Sequence, residues 1–428
     1  TDGQSILDYL EDTVEEYGVD RHIRYRHRVV RASWSSDEAK WTVTTIAETA
    51  DGDEEERVYH CSFLILCPGY FRYDQGYTPD IPGLEDFAGD VIHPQFWPDD
   101  YDHQGKRVVV IGSGATAVTL VPSLAETGAS VTMLQRSPTY YLTVPREDPT
   151  VRFARKFLPD DMVARATLVR NTLIQFGIFK LCRRYPDLAR KILLAGVRAQ
   201  VGDDVDMRHF TPDYDPWDER LCAVPNGDLF EALRGENAEI VTDHIDRIVA
   251  DGIRTESGRM LPADVIVTAT GFDVRLFGGM DVQVDGERID PSSRVLYNAA
   301  MVDGVPNLAM IFGYSNVSWT RKVDGVGKYV CRLYKHMDRV GKDIAIPRGG
   351  EDHISDDPFF DMRSGYAERA RDAFPEQGTK APWRTRNNVI LDSLRFRFGP
   401  LEDGHLEFLS SDDESKSSEQ RRRRKATG

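Results

Sequence analysis

What the 428-residue chain lacks narrows its identity first. It has 5 cysteines, an odd number, scattered at Cys61, Cys67, Cys182, Cys222 and Cys331 with no CxxC pair. That pattern argues against a disulfide framework, a zinc site or a dithiol redox centre, and for a reducing compartment. No metal site is expected. No apolar run approaches the roughly 18 residues that span a bilayer. The opening stretch, "TDGQSILDYLEDTVEEYG", is acidic and amphipathic, which is not the pattern of a signal peptide. A cytoplasmic location is therefore expected. Positive charge is in deficit: the formal net charge of −16 disfavours nucleic acid as a partner. Asp is abundant and Arg greatly outnumbers Lys. Genomic base composition accounts for this bias, and a salt-adapted surface is the alternative. Internal repeats are absent. What remains reads as a globular chain long enough for two or three domains.

Residues 5–17 have the period of an amphipathic helix, with Ile6, Leu7, Leu10, Val14 and Tyr17 on one face. Strand-like runs follow, "HIRYRHRVVRASW" and "KWTVTTIAET", with "DGDEEER" as a solvated tip before the next run. "SFLILCPGY" is a short buried strand ending in a Pro-Gly turn, and "DQGYTPDIPG" is a connector. Residues 150–200 read as helical with basic and apolar faces. "DMRHFTPDYDPWDERLCAVPNGD" reads as a long loop. The chain ends in "SSDDESKSSEQRRRRKATG", of tail-like composition. Its four arginines suit an anionic partner or, more simply, a solvated tail.

From Lys106 the order is strand, glycine turn, helix, strand: "KRVVVIGSGATAVTLVPSLAETGASVTML". Gly112, Ser113, Gly114, Ala115, Thr116 and Ala117 spell G-x-G-x-x-A. The first glycine permits a tight turn, the second lets backbone approach a pyrophosphate, and the small alanine lets the helix pack on the strand. The helix N-terminus then offers free N–H groups to phosphate. Where an NAD site usually carries Asp or Glu, the second strand ends in Gln135, Arg136 and Ser137. An arginine pairs with a 2′-phosphate, so NADPH is read over NADH. An arginine capping a sheet edge is the plainer alternative.

Just upstream, Phe87, Gly89, His93, Trp97 and Pro98 spell F-x-G-x-x-x-H-x-x-x-W-P. This resembles the signature of the Baeyer–Villiger monooxygenases, flavoproteins of class B. Related N- and S-oxidising flavin enzymes carry a similar pattern without the Trp-Pro. Trp97 supplies a large anchor and Pro98 stiffens the exit. His93 suits a linker role across the domain junction more than direct acid–base work, and a satisfied structural histidine is equally compatible. "TATGF" (268–272) and "CPGY" (67–70) resemble the two points where the family's chain crosses between domains. "DPWDERLCAVPNGDLFEAL" and "GYSNVSWT" resemble the subgroup of the ethionamide-activating monooxygenase.

The resemblance implies an α/β chain of two interleaved Rossmann-like dinucleotide-binding domains, the NADPH domain inserted in the FAD domain. The expected parts are a partial FAD domain at 1–83, a linker with the fingerprint at 84–103 and an NADPH domain at 104–272. That domain holds a helical insertion at 150–205; the FAD domain resumes at 273–408, and 409–428 is a disordered tail. The implied cofactors are FAD and NADPH. The implied reaction inserts one oxygen of O2 into a small organic ketone, or oxidises a sulfide or amine, through a flavin C4a-peroxide. Arg220 matches the arginine that stabilises the negative peroxyflavin. Glu219 stands where many members carry Lys, so Arg136 must carry more of the 2′-phosphate. Gly69, Ser315 and Asn316 match flavin-proximal positions. The basic, apolar run "VRNTLIQFGIFKLCRR" could lie on a membrane surface, but the resemblance assigns it to an insertion bordering the substrate channel, and no membrane contact is expected. The family's first glycine turn, its G-G-T-W and its catalytic aspartate do not occur, so the FAD domain is expected to be incomplete at its N-terminus. The alternatives are an incompetent, truncated NADP-binding fragment and a disulfide reductase of the same architecture. The missing CxxC weakens the second. Substrate identity and oligomeric state are not readable.

Overall fold

The stretch Lys40–Glu48 alternates apolar or small residues with polar ones, and its buried positions are Trp41, Val43, Thr45 and Ala47. A period of two builds a strand with one face on a core. This strand is the middle of an antiparallel meander between His27–Ser35 and Glu54–Cys61. The computed structural model describes residues 3–202, 205–219, 221–360 and 362–411. Arg220 and the arginine run of the tail lie outside the described residues.

The meander is extended from far along the chain. Asp281–Val284 pairs in parallel with Arg31–Trp34, and Leu308–Met310 pairs in parallel with Leu64–Leu66. Residues after 273 thus return to the sheets of the first 66. Between the two visits the chain builds an all-parallel sheet in the order Ala238–Thr242, Ser130–Gln135, Arg107–Ile111, Val265–Thr268, Asp90–Ile92. Its central strands are continuous apolar runs, as a sheet covered on both faces requires. Helix Ala115–Glu126 buries Ala117, Val118, Val121, Leu124 and Ala125 beside it. A smaller sheet, Ile245–Val249, Gly252–Thr255 and Met260–Pro262, stands next to it.

Three features differ from the sequence reading. Asp90–Ile92, inside the stretch read as a linker, is an edge strand whose partners lie at Val265–Val267. Within the long loop, Cys222–Pro225 pairs in parallel with Tyr141–Val144. Both are short strands that exist only because distant segments supply the hydrogen bonds. Helix Gly3–Glu16 forms where its period places it, but none of its residues is buried. Its apolar stripe, including Ile6, Leu7 and Leu10, faces solvent. The helical segment is three helices, Pro149–Ala154, Asp160–Arg184 and Pro186–Val201. Among the described residues no helix is long and apolar enough to cross a membrane, and no group of three or more His, Cys, Asp or Glu could hold a metal.

Candidate active site

The nucleotide turn begins where Ile111 leaves the sheet. Gly112 has φ +139, and its N–H donates to the Leu134 carbonyl at 2.9 Å. A Cβ here would sit 2.3 Å from the Ala269 carbonyl oxygen, so only glycine fits. Gly114 caps helix Ala115–Glu126 in extended conformation with no side chain closing the helix end. First-turn N–H groups have no intrahelical acceptor, and space stands open beside Gly114, whose Cβ would meet nothing within 4 Å. Ala117 is fully buried against the sheet. Ser113 and Thr116 are half-buried at the mouth, and Ala115 is exposed. These residues fit a dinucleotide pyrophosphate: an open cradle, free donors and the positive end of a helix dipole.

At the end of the next strand, Gln135 is buried and donates to the His209 carbonyl (2.7 Å) and the Thr242 hydroxyl (2.8 Å). It therefore serves the sheet. Arg136 is exposed and makes no ion pair among the described residues, and Ser137 beside it is half-buried. Both remain available to a 2′-phosphate. Glu219 lies within electrostatic reach of Arg136. Burial holds the Glu219 carboxyl above the usual carboxylate range, Glu368 raises it further, and Arg136 pulls it back. The thiol of Cys222 is pushed up to about 11 by burial. At neutral pH it is a protonated apolar group.

The fingerprint spans a junction. Phe87 packs on the cluster of Ile81, Val109 and Ile248. Gly89 is required by a close approach, since its Cβ would lie 2.3 Å from the Asp264 carbonyl oxygen. The His93 ring lies over Gly76 of the connector and its Nδ1 accepts from the Gln95 N–H at 3.2 Å, capping the turn Pro94–Phe96. Gln95 in turn donates to the carbonyls of Arg72 and Tyr73. Trp97 packs on the other side, edge-on to Tyr101 and His103 and against the core of the parallel sheet. Pro98 is exposed and its carbonyl accepts from the Tyr101 N–H. Three residues thus separate a side chain holding the connector from one anchoring the nucleotide sheet.

The two crossings run side by side. The Arg72 N–H donates to the Asp273 carbonyl and the Arg275 N–H to the Tyr70 carbonyl, both at 2.9 Å. Arg369 stacks 3.5 Å over the Tyr77 ring and donates to the Phe272 carbonyl, so one guanidinium touches both the connector and the second crossing. The chain leaving strand Val265–Thr268 walls Gly112 at Ala269 and reaches Phe272 three residues later, and Phe272 packs on Phe71 at 4.6 Å between ring centroids. Phe71 lines a cleft of about 470 Å³ with Cys67, Gly69, Ile311, Trp319 and Tyr366. The nucleotide turn and this aromatic cleft are therefore joined by the short segment Ala269–Phe272. Gly69 has φ +70 at the cleft wall. The cleft's aromatic lining fits a planar aromatic ring system.

Ser315 and Asn316 are drawn close by but buried: the Ser315 N–H donates to Asn387 Oδ1 (3.3 Å), and Asn316 Nδ2 to the Asn387 carbonyl (2.7 Å). They brace the loop between the cleft residue Ile311 and Trp319. Sequence reasoning missed Tyr366 and Arg369, which no motif marks, and Trp319, which sits inside "GYSNVSWT" without a role assigned to it.

A family model of flavin-binding monooxygenase-like proteins matches residues 2–164. The FAD-containing monooxygenase EthA of Mycobacterium tuberculosis is 45% identical over 410 residues, covering 95% of this chain and 83% of that protein. EthA of Mycolicibacterium smegmatis is 43% identical over 409 residues, covering 95% and 82%. The chain belongs to the flavin-binding monooxygenases. Within this family it falls with the EthA proteins, and it is an enzyme of the oxidoreductase class. The fold agrees. A steroid monooxygenase solved with NADP superposes with a TM-score of 0.68 at 21% identity, covering 95% of this chain and 85% of that one. The open structure of cyclohexanone monooxygenase superposes at 0.67 and 21%, covering 95% and 84%. This monooxygenase chain thus shares the two-domain α/β architecture of those enzymes.

Proposed function

We propose that this chain works as an FAD- and NADPH-dependent monooxygenase, using O2 to oxygenate a small organic ketone or the sulfur or nitrogen of a small sulfide or amine. One observation carries the reading: the segment Ala269–Phe272 runs from the open glycine cradle at Gly112–Ala117 to Phe71, a wall of an aromatic cleft large enough for a flavin ring. Gly112, Ser113, Gly114, Ala115, Thr116 and Ala117 would hold the pyrophosphate of NADPH, with Arg136 and Ser137 on its 2′-phosphate. Gly69 and the rings around it would hold the flavin, whose bound form supplies hydride acceptance and oxygen chemistry. The aromatic wall excludes water from that ring, and exclusion protects reactive oxygen species from solvent. Arg220 is assigned a charge-stabilising role at the reacting centre. Trp97 and Pro98 favour ketone oxygenation over the other two.

The visible absorption spectrum of the protein, expressed with excess riboflavin, tests this. Bound flavin bleached by NADPH and restored by air is the expected result. A colourless protein that still binds NADPH would end the flavin half and leave the nucleotide half standing. With flavin bound, Arg220→Ala should leave NADPH consumption largely intact while product falls and hydrogen peroxide rises. Unchanged product would remove Arg220 from the site.

A further inference from the structure

We propose that the three-helix segment Pro149–Val201 is a docking surface for an anionic lipid interface. Residues 149–201 hold eleven Arg and Lys against three Asp, a formal +8 inside a chain of −16. Arg155, Arg170, Arg183 and Arg190 are engaged in ion pairs. Arg152, Lys156, Arg165, Lys180, Arg184 and Lys191 make none among the described residues, and Lys180 and Arg184 lie over the rings of Phe176 and Tyr185.

Apolar side chains stand in the open among these charges. Helix Asp160–Arg184 is 25 residues long and buries only Val163 and Cys182. Met162, Val169 and Leu173 recur at i, i+7 and i+11 on one exposed face. Phe157, in the turn before this helix, is 70% exposed. Helix Pro186–Val201 buries Ala189, Leu193 and Val197 on its inner side and leaves Leu188 and Ile192 outside. Exposed apolar side chains grouped on one helix face, as Met162, Val169 and Leu173 are, mark an interaction site. Basic side chains flanking apolar ones are the pattern of helices that lie in the headgroup region, where long stems reach the phosphates.

Charge decides between occupants. A two-fold contact with a second copy brings the same patch onto itself, setting one +8 segment against another. An anionic bilayer complements the segment and repels the rest of the acidic chain, so only this face can approach. The helices are not long and apolar enough to cross, so the contact is with the surface.

Cosedimentation of the full chain with mixed phosphatidylcholine–phosphatidylglycerol vesicles, against phosphatidylcholine alone, tests the proposal. The protein should pellet with the anionic vesicles only, and added salt should release it. The double substitution Val169→Glu and Leu173→Glu, on exposed positions, should lower binding at least tenfold with the unfolding midpoint unchanged. A Phe157→Trp variant should shift its emission to the blue on the anionic vesicles. No pelleting, equal pelleting with both vesicles, wild-type binding by the double variant, or a dimer that the double variant dissolves would each overturn it.

Discussion

Gly112 and Gly69 each follow a short strand where the chain leaves a sheet, and each has positive φ. Gly112 comes directly after Arg107–Ile111, buried from Val108 on, and Gly69 three residues after Leu64–Leu66, whose Ile65 is exposed where the sequence reads a buried strand. Their surroundings differ. Gly112 is walled by rigid backbone, the Ala269 carbonyl. Gly69 is met only by the tip of a side chain, the Tyr73 hydroxyl at 3.2 Å from a Cβ. The first glycine is fixed by two demands at once, the turn and the packing of two strands. The second answers mainly to its own backbone angle. That is why the nucleotide turn is recognisable from spacing and the aromatic cleft is not.

Substitution would break the symmetry between them. Gly112→Ala should be the most damaging change, destabilising the protein by about 2–4 kcal/mol through strain and backbone displacement. NADPH binding should fall more than tenfold. A stable Gly112→Ala protein with normal NADPH affinity would mean the turn is neither strained nor at the nucleotide. Gly69→Ala should cost about 1–2 kcal/mol, the price of a left-handed angle, and leave NADPH affinity unchanged. Thermal or urea unfolding paired with fluorescence titration of NADPH reads both. Gly114→Ala sharpens the contrast from the other side. Its φ of −77 suits any residue and its space is open, so stability should hold while NADPH affinity falls about tenfold, the scale of one displaced phosphate contact.

The same contrast explains what was legible. The meander at 27–61 announced itself by alternation, and the glycine turn by backbone requirements that few residues meet. The fingerprint gave Trp97 and His93 but not their division of labour, because nothing local says which faces the sheet and which the connector. The edge strand Asp90–Ile92 was hidden between Gly89 and Pro94, which read as connector, since its stability comes from Val265–Val267 more than 170 positions away. The cleft was hidden for a related reason. Its walls come from residues 67–73, 311–323 and 366, three segments with no common pattern.

Glu219 gives a smaller, pH-dependent test of the nucleotide side. Burial raises its carboxyl, so it takes up its proton at a higher pH than an exposed glutamate does. The charged form competes with a 2′-phosphate for Arg136. NADPH affinity should therefore rise as pH falls through the Glu219 titration. Glu219→Gln should bind NADPH about 2- to 5-fold more tightly at neutral pH, the scale of one partly screened charge pair. That variant should also lose this part of the pH dependence. NADH, lacking the phosphate, should respond to neither change. An equal gain for NADH would place Arg136 away from the phosphate.

The smallest expected effect lies at the root of the nucleotide strand. Asp264 accepts the Arg107 N–H at 2.8 Å and both arms of its guanidinium at 3.0 and 2.6 Å, while its carbonyl accepts the Asp90 N–H. One residue thus sets the register of three parallel strands. Hydrogen bonds from the Arg107 side chain and then its backbone lower the carboxyl to about 2. Both partners are about half exposed, so solvent screens the pair, and Asp264→Asn should cost only about 0.5–1 kcal/mol. The folded-state pKa lies below the unfolded value of about 3.9. The contribution is therefore fully present above pH ~4 and lost as pH falls through about 2. Urea midpoints of the wild type and Asp264→Asn should differ at pH 7 and converge in strong acid. If the gap stays constant with pH, the side chain holds the register through geometry alone and the charge contributes nothing.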